Sequence, residues 1–187
     1  MGYVEQEQVK SYLGITTNTD DFLIDSLITR AEGIIESYTG RVFEAETATK
    51  YFNTDNIEGR YLLLYGYDLL TITTLTNGDG TVITSGQYRL EPRNQTPKWM
   101  IRLNEDYTWE FDDSDDEISI AGTWGYSATP PADIAHACVR LAAFLYRQKD
   151  TSADIDRPLM TGDGVTIMPS AIPQDVKSIL DNYRRRI

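Results

Sequence analysis

Between Thr47 and Tyr126 the chain leaves helical periodicity, and this change of period constrains the fold more than any single motif does. The segments "TATKYFN", "RYLLLY", "LLTITTLT", "TVITS", "QYRLE", "WMIRL" and "EISIAGTWGY" are short, rich in Thr, Ile, Tyr and Trp, and separated by turn residues. That pattern marks β-strands. The clearest hairpin lies at "TLTNGDGTVIT", where Asn77-Gly78-Asp79-Gly80 places residues tolerant of positive φ between two β-prone runs. The strands are expected to form an antiparallel sheet, whose order spacing does not reveal.

Helical periodicity flanks this block on both sides. "YVEQEQVKSYLGI" carries Val4, Val9, Tyr12 and Leu13 and closes near Gly14, the residue type suited to a left-handed C-terminal turn. In "TNTDDFLIDSLITRAEGIIESYTG", Leu23, Leu27, Ala31, Ile34 and Tyr38 recur at helical steps, which predicts one buried face. Asn18 or Thr19 is the expected cap there, Asp20 and Asp21 complement the dipole, and Gly40 ends the helix. After the β block, Thr129 is the expected cap of a helix with Pro130 and Pro131 in its first turn, running to about Lys149. "IPQDVKSILDNYRRRI" predicts a last helix with Val176, Ile179, Leu180 and Tyr183 on one face. The expected class is therefore α+β: a helical core of about four helices, two N-terminal, one long and late, one C-terminal, with an antiparallel β-rich insertion between the second and third. The segments 1–46, 47–126, 127–150 and 151–187 are expected to belong to a single domain.

A chain of 187 residues buries about two-thirds of its unfolded surface, enough for a core without disulfides. One cysteine permits no internal bridge, no early run reads as an export signal, and no apolar run approaches the roughly 20 residues that cross a bilayer. A soluble protein made in a reducing cytoplasm is expected, with no membrane partner. The net charge of -12 is uneven: through Pro130 there are 9 Lys+Arg against 22 Asp+Glu, and afterwards 8 against 7. Such a balance opposes gripping of phosphate backbones, which relies on clustered cations, but permits nucleic acid to pass by.

The only histidine and the only cysteine, His136 and Cys138, fall two residues apart on one predicted helix. Two steps rotate a side chain by about 200°, so the imidazole and thiol point away from each other and a local dyad is excluded. Cys138 shares an apolar stripe with Ile134, Leu141 and Leu145, whereas His136 lies with Asp133, Arg140 and Arg147 on a polar one. One His and one Cys cannot supply a nitrogen and sulfur zinc site within a subunit. No Gly-x-Ser-x-Gly elbow nominates a serine, and Gly78-Asp79-Gly80 and Gly162-Asp163-Gly164 lack the residues of phosphate-binding loops, so both read as turns. The acidic run Asp112, Asp113, Asp115, Asp116 and Glu117 is the better candidate for a hard cation, yet it lacks the central glycine and distal glutamate of a calcium loop. A solvated loop that discourages edge pairing is its plainer reading. No cofactor and no catalytic residue is indicated. The terminal Arg184, Arg185 and Arg186 suit a helix C-terminus or an acidic partner.

The order of elements and certain quoted residues then carry a likeness. "VKSYLGI", "DDFLIDSLITRAEGIIESYTGRVF", "TKYF", "QYRLE" and above all "GTWGYSATPPADIAHACVRLAAFLYRQKD" resemble the head-tail connector family of long-tailed bacteriophages, also called adaptor or head-completion proteins. Glu36, Tyr38, Thr39, Gly40 and Arg41 match one family motif, and Gly125, Tyr126, Pro131, Leu145 and Tyr146 another. Gln148-Lys149-Asp150 stands where the commoner arginine and acid would be, and the likeness covers Val4 to about Asp150.

The resemblance implies a structural, non-enzymatic virion protein at the head-tail junction. It implies a homo-oligomeric ring, expected to be about twelve-fold, that docks on the portal protein and presents a platform to the next connector, stopper or tail-completion protein, with DNA passing through its lumen unbound. Asp112, Asp113, Asp115, Asp116 and Glu117 are then expected to face the channel. Asp133, His136, Arg140, Arg147, Tyr183, Arg184, Arg185 and Arg186 are expected at subunit or portal interfaces. Another β-rich tail or baseplate module, and more remotely a metal-dependent enzyme using the acidic run, remain as alternatives.

Overall fold

The computed structural model describes residues 2–113, 117–149, 159–160, 166–167 and 172–185. Among them are the helices α1 (Gln6–Leu13), α2 (Asp21–Thr39), α3 (Ala132–Gln148) and α4 (Gln174–Asp181). The strands are β1 (Glu46–Phe52), β2 (Ile57–Glu58), β3 (Tyr61–Leu63), β4 (Leu69–Thr76), β5 (Val82–Ile83), β6 (Tyr88–Glu91), β7 (Met100–Leu103), β8 (Ile118–Trp124), β9 (Leu159–Met160) and β10 (Thr166–Ile167). The class is α+β as expected, and the chain folds as two compact units, residues 1–40 with 131–187 and residues 41–130.

The helical unit is built around α3. Ile134, Cys138, Leu141 and Leu145 are buried along it, the stripe read from the sequence, with Ala137 buried beside them, and α1, α2 and α4 all pack on this helix. Fully burying one of its Ile or Leu side chains contributes about 1.5–3 kcal/mol. Its N-cap is Pro131 rather than Thr129, whose carbonyl instead accepts from Ser127 Oγ at 2.6 Å. In α2 the buried residues are Ile24, Ile28, Ala31, Ile35 and Thr39, while Leu23, Leu27, Ile34 and Tyr38 flank that stripe half-buried. The expected face is thus rotated by about one residue, or 100°. Tyr12 is also exposed, its hydroxyl accepting from Arg140 Nη1 at 2.7 Å. Gly14 and Gly40 close α1 and α2 with φ of 73° and 68°, conformations that cost glycine least.

The second unit holds two four-stranded antiparallel sheets rather than one, ordered β1-β8-β4-β5 and β2-β3-β7-β6. Strand β8 lies between β1 and β4, with Ile120 opposite both Lys50 and Leu75. Where β8 passes a bulge in β4, Gly122 comes so close that a Cβ would meet the Thr71 carbonyl oxygen at 2.2 Å. Leu62, Leu64, Leu69, Leu75, Ile101, Leu103, Ile118, Ile120 and Trp124 form the core of this unit. The β4–β5 hairpin turns through Asn77 to Thr81 as expected, with the Asn77 N–H donating to the Thr81 carbonyl at 2.7 Å. A further short pairing joins β9 and β10 in the C-terminal stretch.

Candidate assembly surfaces

The family motifs read from the sequence meet one another in space, through polar contacts between segments far apart in the chain. Past Gly40 the chain enters the β unit, and there Arg41 donates from Nη1 to both carboxylate oxygens of Asp68, at 2.7 and 2.8 Å. The guanidinium carbon lies 5.3 Å from the centre of the Tyr126 ring, a cation–π distance, and Phe43 packs on the same ring. The Tyr126 N–H donates to the Val42 carbonyl and the Gly125 N–H to the Asp68 carbonyl, each at 2.8 Å. Arg41 of one motif and Gly125-Tyr126 of the other therefore form a single clasp around a buried ion pair. Gly125 has no alternative there: its φ is 134° and a Cβ would meet the Glu44 carbonyl oxygen at 2.6 Å.

Within the helical unit the pattern repeats. Asp20, which precedes α2, accepts from the Tyr146 hydroxyl and from Lys149 Nζ at the end of α3. Donation from Lys149, then from Tyr146, holds the Asp20 carboxyl below its ordinary value, and the same contacts raise Lys149. Asp21 pairs with the buried Lys10 at 2.8 Å, and Asn18 accepts from that lysine at 2.9 Å instead of capping α2. Glu36 accepts from the Tyr3 hydroxyl at 2.7 Å, and Tyr38 donates to Asp181 at 2.5 Å, which raises the phenol pKa.

Several of the residues expected at interfaces are engaged inside the helical unit. Tyr183 donates to Asp133 at 2.7 Å, and Arg140 pairs with Asp175 while donating to Tyr12. Burial opposes ionisation of Asp175, but Arg140 and the Val176 N–H hold its carboxyl below the ordinary value. Arg184 lies over the Tyr38 ring at 5.4 Å and the Arg185 N–H donates to the Thr39 carbonyl at 2.9 Å. His136 and Arg147 are exposed on α3, and Arg186 lies outside the described residues. Cys138 is buried, and burial followed by the nearby Glu32 charge pushes its thiol up to about 12, the behaviour of a packing residue.

The residues that lead into the acidic stretch are fixed within the β unit. The Glu110 N–H donates to Asn77 Oδ1 at 3.0 Å and the Asp79 N–H to the Glu110 carbonyl at 3.1 Å, while Trp109 and Phe111 pack on the core. Asp112, Asp113 and Glu117 are exposed, and Asp115 and Asp116 lie outside the described residues. Among the described residues no group of three or more His, Cys, Asp or Glu side chains could hold a metal ion, and no helix is long and apolar enough to cross a membrane. Sequence reading missed Asp68, although a single acid inside the apolar run "YGYDLL" is a signal that a buried cation must sit nearby.

Residues 3–186 match the family described as head completion protein. The chain belongs to that family. Its role is accordingly that of a structural head-tail connector component. No curated protein matches the sequence. Among solved structures, this head completion protein is similar to a chain of a native gene transfer agent virion, with a TM-score of 0.67 and 19% identity over 99% of this chain and 91% of that one. It is also similar to a chain in the neck of an empty gene transfer agent particle computed with C6 symmetry (TM-score 0.65, 17% identity, covering 99% and 91%). A third similar chain lies in the neck of a native particle computed with C12 symmetry (0.62, 18%, covering 100% and 94%). At these identities the likeness establishes the fold.

Proposed function

We propose that this head completion protein closes the DNA-filled head by forming a homo-oligomeric ring between the portal protein and the tail, with a lumen through which DNA passes. The observation that carries this reading is the family match over residues 3–186, nearly the whole chain. The similar chain in a particle neck computed with C12 symmetry supports a twelve-fold ring. On this reading the protein is not an enzyme: it works by geometry and charge, made in the host cytoplasm and retained at the head-tail junction. An acidic wall lets DNA slide because it repels phosphate rather than binding it. The exposed Asp112, Asp113 and Glu117 are proposed to line that channel, with Asp115 and Asp116 between them.

A ring of identical subunits needs two different complementary surfaces on each copy. The exposed side of α3 with His136 and Arg147, together with the C-terminal arginines, is proposed to serve contacts with the portal or with neighbouring copies. The test is complementation. Particles assembled without this chain should accumulate as DNA-filled heads beside unattached tails, and adding the purified chain should restore joining. Joined, infectious particles in its absence would refute the reading.

A further inference from the structure

On the sheet β2-β3-β7-β6, the residues Glu58, Tyr61, Arg102 and Arg89 stand in one register row, each opposite the next. Cross-strand partners share a face of the sheet. The other face of the same strands carries the buried Leu62, Ile101 and Leu103, so this row lies on the outside. Arg102 is half-buried with its guanidinium carbon 5.5 Å from the Tyr61 ring centre, and Arg89 is exposed directly opposite it.

The two arginines line a cleft of about 230 Å³ with Leu103, Asn104 and Glu105. The carboxylate of that cleft is turned elsewhere, since Glu105 faces Arg60 at 3.8 Å. Among the described residues neither Arg89 nor Arg102 has an ion-pair partner. Like charges directly opposite on paired strands repel. An anionic group arriving from outside relieves that repulsion, and a planar guanidinium fork suits a carboxylate or a phosphate.

Charge decides between the two. Residues 41–130 carry 7 Lys+Arg against 15 Asp+Glu, a net of -8, which repels a polyanion, and two arginines release few counterions. A second copy of this chain brings the same acid-rich composition with it. We propose that the outer face of β2-β3-β7-β6 is one of the two complementary surfaces of the ring, and that Arg89 and Arg102 together receive a carboxylate from the neighbouring copy. The inference rests on the ring reading above and adds to it a specific surface and its chemistry. Complementary charge of this kind sets register and excludes wrong neighbours.

Arg89→Lys keeps the charge and supplies an amine that a carbodiimide couples only to a carboxylate in contact. Purified particles carrying it should yield chain dimers on denaturing gels, with mass spectrometry placing the bond between position 89 and an Asp or Glu of a second copy. Arg89→Glu with Arg102→Glu gives up the Arg102–Tyr61 contact and should lower the melting temperature of the isolated chain by no more than about 4 °C, yet cut ring-bearing particles at least tenfold. Coupling confined to one chain, coupling to another virion protein, or a mobility shift with duplex DNA that the double variant abolishes would each overturn the proposal. Rings in the particles without coupled dimers would sink this inference alone, whereas the absence of any ring of this chain in wild-type particles would sink the ring reading as well.

Discussion

Asp68→Ala is the sharpest perturbation of the clasp that joins the two family motifs. It removes the carboxylate that holds Arg41 Nη1 at 2.7 and 2.8 Å, and the side chains concerned are only 4% (Asp68) and 19% (Arg41) exposed. The substitution withdraws that carboxylate from a guanidinium largely shielded from water. Deleting one side of a buried pair costs about 3–5 kcal/mol. The part of Arg41 that reaches solvent, and the Tyr126 ring 5.3 Å away, bring the loss to the lower end, about 3 kcal/mol. Each kcal/mol moves Tm by roughly 2–4 °C in a chain of this size, so melting should fall by about 6–12 °C. The assay is thermal and urea unfolding followed by circular dichroism. A second arm, Arg41→Met with Asp68→Leu, removes both charges and should return to within about 1 kcal/mol of the wild type. A single variant melting within about 2 °C of the wild type, or a double variant worse than the single one, would show that the Arg41–Asp68 pair does not hold the fold in this way.

Cys138 should resist a thiol reagent at neutral pH in the folded protein and react at once in denaturant, because burial raises its thiol to about 12. Titration of the single thiol with and without denaturant checks this. Asp20 titrates below its ordinary value of 3.8 in the folded state, so its contact with Lys149 and Tyr146 adds stability above that pH and loses it as the pH falls through the lowered value. Asp20→Asn should therefore lower the urea midpoint at pH 7 and change it much less near pH 2, and an equal change at both would contradict the assignment. Gly122→Ala should destabilise by about 1–3 kcal/mol through overpacking, read as a lower urea midpoint, since its Cβ would meet the Thr71 carbonyl oxygen at 2.2 Å.

How far the sequence was legible depends on the range of the interaction concerned. The stripe on α3 was readable because one apolar row, Ile134 to Leu145, stands clear of a polar row containing His136, so rotation alone separated thiol from imidazole. In α2 two neighbouring rows are both apolar, Leu23-Leu27-Ile34 and Ile24-Ile28-Ile35. Periodicity gives the width of such a face, and only the packing partner selects its centre, which falls on Ile24, Ile28 and Ile35. The strands were legible one by one, but their division into two sheets rests on pairings such as β1 with β8, whose partners lie far apart in the chain. The polar face of α3 was likewise visible. That Asp133 would be taken by Tyr183 and Arg140 by Asp175 was not, because those contacts span 50 and 35 residues. The motifs behaved differently. They pointed to the family before their physical reason was apparent, and the structure supplies that reason in the contacts of Arg41 with Tyr126 and of Asp20 with Tyr146.

A ring of this head completion protein at the neck would be seen in a cryo-EM map of particles that carry the chain. The map should show a closed ring into which the helical unit and the β unit both fit, seated between portal and tail with an open, acid-lined channel on its axis. Density for this chain at the baseplate, or a neck complete without it, would rule out such a ring.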